Sequence, residues 1–95
     1  MKYIILKNGE VFGRVQVSSE SLLRAYLVQL VDSIVAQEEN PCTVEYMTGS
    51  PENVHAHNGT FEAVVSFERG EFDELGIFSE EFRFTAVPEP ELVVL

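Results

Sequence analysis

Both histidines of the chain fall in one stretch, Asn53-Val54-His55-Ala56-His57-Asn58-Gly59-Thr60-Phe61-Glu62. On a β-strand, residues i and i+2 point to the same side, so His55 and His57 can present two imidazoles together. Glu62 adds a carboxylate five residues further on. Two imidazoles and a carboxylate, with a position left for water, form a donor set suited to a borderline dication such as zinc. Without a metal, Glu62 would favour the protonated form of His55, giving a pH-responsive contact. The plainest reading is a solvated cross-strand pair of small energetic worth.

Which reading applies depends on the strands that carry these groups. Asn58-Gly59 is a hairpin signal, because a two-residue type I′ turn needs positive φ at both positions. That turn sets His57 opposite Thr60 and His55 opposite Glu62. One face then carries His55, His57, Thr60, Glu62, Val64, Ser66 and Glu68, and the other carries Val54, Ala56, Phe61, Ala63, Val65 and Phe67. The apolar face is expected to meet the core, which turns both histidines and Glu62 outward. The spacing of Gly49, His55, His57 and Glu62 resembles the first motif of the cupin family, which would imply a double-sheet barrel and a bound metal. The pattern departs from it at Gly70, one place late, and no histidine follows His57. We treat the match as coincidental. The expectation is therefore no cofactor and no metal, with His55, His57 and Glu62 as the alternative.

Other catalytic constellations are thin. Cys42 is the only cysteine, and alternation along residues 42–48 points it to the core side, where a free Cys commonly acts as a small hydrophobe. That direction separates it from both histidines. The carboxylate pairs Glu38-Glu39 and Glu80-Glu81 stand in polar surroundings, whereas acid-base work needs a desolvated pocket. The expectation is a protein that is not an enzyme.

A second Asn-Gly turn, Asn8-Gly9, joins residues 2–7 to 10–17. It sets Lys7 opposite Glu10, Ile5 opposite Phe12 and Tyr3 opposite Arg14. Ile4, Leu6, Val11, Val15 and Val17 are expected on the core side. Tyr3, Ile5 and Phe12 are left on the outer side as a candidate oligomer face. Ser18 or Ser19 can cap a helix, in which Leu23, Leu27, Leu30, Val31 and Ile34 recur at helical spacing. Pro41 ends it. Residues 42–48, 52–57, 60–69 and 80–87 read as strands, and 70–78 as an irregular acidic connection. The chain is expected to be one α+β domain over 1–95: a single helix on a mainly antiparallel sheet, in the order ββαββββ. Residues 88–95 form a Pro-punctuated apolar tail, with Leu92–Leu95 a second oligomerisation candidate.

Charge is the strongest global signal. Sixteen acidic residues face six basic ones, for a net charge of −10. The balance is −2 over residues 1–50 and −8 over 51–95. Such a surface repels nucleic acid and anionic membrane and attracts basic partners. The apolar run at Tyr3–Leu6 is too short for a signal core or a membrane span, and one cysteine suits a reducing compartment; a cytoplasmic location is the expectation. Glu62, Glu68, Glu71, Phe72, Asp73, Glu74, Glu80 and Glu81 mix carboxylates with aromatic surface and are the candidate partner-binding residues. By size and charge the chain resembles the small acidic bacteriophage proteins that inhibit host machinery as nucleic-acid mimics. The expected partner is a protein with a basic surface, such as a nucleic-acid-binding protein. A homodimer is the further expectation, and a structural or assembly subunit is the other class of function.

Overall fold

The structure, a computed structural model, describes residues 1–39, 42–70 and 77–90, apart from the side chains of Gly70, Ile77 and Phe78. One helix packs on an antiparallel sheet in the order ββαββββ, with one turn of 3₁₀-helix before the fourth strand. The strands are β1 (Lys2–Lys7), β2 (Glu10–Gln16), β3 (Thr43–Met47), β4 (His55–His57), β5 (Thr60–Gly70) and β6 (Ile77–Pro88), and the helix α1 is Glu20–Gln37. Their order in the sheet is β2-β1-β6-β5-β3, with β4 also on β5. The α+β fold expected from the sequence is the one observed.

Both turns have the required backbone. Asn8 and Gly9 have φ of 51° and 84°, and Asn58 and Gly59 have 51° and 79°, the positive pair that type I′ needs. The second hairpin keeps the expected register, with His55 opposite Glu62 and His57 opposite Thr60. The first does not. Lys7 pairs with Glu10 and Leu6 with Val11, but Ile5 pairs with Gly13 and Tyr3 with Val15. Phe12 is the extra residue of a β-bulge, which displaces everything beyond it by one place.

The expected sides of this hairpin are consequently corrected. Tyr3 and Ile5 are core residues, Ile5 fully buried, while Val11 is 73% exposed. Ile4 and Leu6 are half-buried on the far side. The cause lies in β6, which pairs Ile5 with Ala86. Residues directly opposite share a face, and β6 turns Phe84 and Ala86 into the core. Tyr3 and Ile5 are therefore no oligomer face. Phe12 is half exposed and stands edge-on to Phe84 at 5.6 Å.

Ser19 caps α1, its hydroxyl accepting from the Leu22 amide at 3.3 Å. Leu23, Leu27, Val28 and Val31 are buried against Phe61, Ala63, Val65, Phe67, Phe84 and Ala86 of the sheet. Leu30 and Ile34, expected in the same stripe, pack at its margin and are half-buried. Regular alternation along residues 42–48 would set Cys42, Val44 and Tyr46 on one face, and this is corrected: a second irregularity at Glu45 puts Val44 opposite Phe67 and Tyr46 opposite Ser66. Val44 and Tyr46 thus lie on opposite faces, and both are exposed. Cys42 packs against the core as expected. The strand pairing of Arg69 with Phe78 and Gly70 with Ile77 shortens the acidic connection read over 70–78.

Candidate functional site

The helix packs on one side of the sheet, and among the described residues the other side is left open. Register determines what it presents. Val11, Leu6, Thr85, Glu62 and His55 form one row across β2, β1, β6, β5 and β4. Arg14, Ile4 and Val87 form a parallel row, and Val64 stands opposite Arg83. His55 and His57 are exposed on this face, as the sequence implied.

The two imidazoles lie nearly parallel, 15° apart in plane, with ring centroids 6.3 Å apart. Nε2 of His57 is 3.2 Å from the side-chain amide nitrogen of Asn58. Glu62 is engaged elsewhere: Arg83 forms an ion pair with it, and its second guanidinium nitrogen donates to Glu81 at 2.8 Å. The paired carboxylates hold the Arg83 guanidinium above its ordinary pKa, the hydrogen bond it donates to Glu81 contributing most. Among the described residues no three His, Cys, Asp or Glu side chains are grouped to hold a metal ion. The proposed third ligand is thus a partner of Arg83.

The histidine strand is positioned from the helix. Arg24 donates through Nη1 to the carbonyls of Pro51 (3.2 Å) and Val54 (2.9 Å), and its Nε donates to Glu20. Its guanidinium also lies 5.3 Å from the Phe61 ring centroid, within cation–π range. Neither contact was legible in the sequence, where Arg24 is one polar residue on a mostly apolar helix. Arg69 does similar work at the other end. It binds both oxygens of Glu38 (3.1 and 2.7 Å) and one of Glu80 (2.6 Å), and these carboxylates raise its pKa further above the usual arginine range.

The expected acidic surface is therefore divided. Glu62, Glu68 and Glu81 lie on the open face; Glu80, opposite Phe67, lies on the helix side. Glu62 and Glu81 are tied to Arg83, and Glu80 to Arg69. Glu68 has no salt bridge among the described residues. Glu71, Phe72, Asp73 and Glu74, and the tail Leu92–Leu95, lie outside the described residues. No described helix is long and apolar enough to cross a membrane. No family model matches this chain, and no curated protein and no solved structure matches it.

Proposed function

We propose that the protein is a non-enzymatic interaction module that offers carboxylate surface to a basic protein partner. The observation that carries this reading is the fate of its arginines. Arg14, Arg24, Arg69 and Arg83 each contact a carboxylate of the same chain. The chain's net charge of −10 is thus expressed outward by other groups. Among the described residues Glu10, Asp32, Glu39, Glu45, Glu52 and Glu68 have no salt bridge. These are spread over the hairpin turn, the helix layer, the 3₁₀ turn and the sheet, so the negative field surrounds the molecule rather than marking one pocket.

Such a field speeds encounter with cationic surfaces and is screened by salt. The immobilised protein is expected to capture basic proteins from lysate at low salt and to release them as ionic strength rises to about 0.5 M, where the screening length falls to a few ångströms. Replacing Asp32, Glu39 and Glu52 by Asn or Gln should lower that capture. Partners with neutral surfaces, or capture indifferent to salt, would refute the reading. The narrower form, a nucleic-acid mimic acting as an inhibitor, is tested by adding duplex DNA to the captured complex. Displacement of the partner by DNA is the expected result; no displacement at any DNA concentration removes the mimic.

A further inference from the structure

We propose that His55 and His57 form a two-imidazole chelate for one borderline divalent transition-metal ion, with water in the remaining positions and Glu62 outside the coordination shell. The inference is independent of what the acidic surface binds. It begins with the strand. β4 holds residues 55–57 extended, so both imidazoles leave the same side of the backbone, from Cα atoms about 6.6 Å apart. The ring planes differ by 15° and their centroids stand 6.3 Å apart. Two imidazoles on one ion, each bound at about 2.1 Å, bring their nitrogens to within about 4 Å of each other. Both residues are exposed, so rotation about the side-chain torsions can close that gap without disturbing the core.

The nitrogens are in the state a metal requires. The Asn58 side-chain amide nitrogen faces Nε2 of His57 at 3.2 Å. An amide N–H only donates, so Nε2 accepts and the ring carries its proton on Nδ1. That neutral tautomer offers its Nε2 lone pair outward, and an arriving ion has one exposed hydrogen bond to displace. His55 makes no hydrogen bond or ion pair among the described residues. Its strand neighbour Glu62 would be a third donor, but Arg83 holds it and is itself shared with Glu81. Those three groups sum to −1, so the guanidinium sets no net positive charge against a cation, on a chain of net −10. Imidazole donors select copper, nickel and zinc, whereas magnesium and calcium take oxygen ligands.

The test is calorimetric titration of the untagged full chain with Cu²⁺, Ni²⁺ and Zn²⁺, with the imidazole signals followed by NMR. One ion per chain should bind with a Kd below about 1 mM, Cu²⁺ the tightest. His55→Ala and His57→Ala change exposed positions, so folding should survive, as checked by circular dichroism. Each should raise the Kd at least about tenfold, because a single imidazole loses the effective concentration of the second. Glu62→Gln should change the Kd by no more than about threefold, the effect of one nearby charge across water. No binding below about 1 mM overturns the proposal. So does affinity that both histidine substitutions leave intact, or an ion displaced by excess Mg²⁺, since either places the metal on carboxylates. A loss in Glu62→Gln as large as in His55→Ala overturns the two-imidazole site as well.

Discussion

At Thr48 the pairing along β5 passes from β3 to β4, and a side chain completes it. The Thr48 amide donates to the Val64 carbonyl at 2.8 Å, and the Val64 amide donates to the Thr48 hydroxyl at 3.0 Å. Thr48 is the one buried polar residue among the described residues. Thr48→Val keeps the shape but leaves the Val64 N–H without its acceptor. It should lower unfolding free energy by about 1–3 kcal/mol, with faster hydrogen exchange at Val64; Thr48→Ser should recover most of the loss. Nothing in the sequence marks this threonine, because its role depends on where two distant strands end. The turn residues are the opposite case. Gly59 carries a positive φ of 79° imposed by a two-residue loop, so Gly59→Ala should cost about 1–2 kcal/mol in a denaturant melt. A neutral result would mean that the turn relaxes to another type.

Among elements, α1 depends on packing more than on any polar contact. Leu27 is fully buried against the sheet, and Leu27→Ala should cost about 2–5 kcal/mol by chemical denaturation. The polar ties at the helix ends do different work. Arg24 holds the 3₁₀ turn and β4, and Arg69 fixes Glu38, just beyond the helix, to β5 and β6. Arg69→Met should therefore loosen the last helical turn, read as faster amide exchange over residues 35–38, while amides of β1 and β6 stay protected. Equal loss of protection throughout would show that the network holds the whole fold. The helix itself was legible, since the Ser19 cap and the leucine spacing are local. The inward side of β1 was not. Tyr3 and Ile5 alternate with Ile4 and Leu6, so both faces are apolar and period-2 reasoning has no preference. Pairing with β6 made the choice, and the bulge at Phe12 let β2 follow.

For the whole molecule, net charge sets the balance. A net of −10 is held by a chain whose four arginines each pair with its own carboxylates. Self-repulsion should relax as salt is added, whereas the Arg–Glu pairs weaken. With sixteen acidic residues against six basic ones, repulsion dominates. Relief of about 0.5–1 kcal/mol between low and moderate salt would raise the thermal midpoint by about 2–8 °C. A falling midpoint would mean that the ion pairs outweigh the net charge.

By itself the sequence determined what is local: the two Asn-Gly turns, the cap and apolar stripe of the helix, the outward direction of His55 and His57, and the α+β order. Each follows from neighbours within a few positions, where backbone sterics and side-chain periodicity act directly. Only the tertiary structure decided that β1 lies beside β6, that Tyr3 and Ile5 face inward, and that Glu62 serves Arg83 rather than a histidine. Those outcomes join residues about twenty to eighty positions apart. They arise because one sheet must bury the apolar face of β6 and β5 under a single helix, and every other strand takes its side from that constraint.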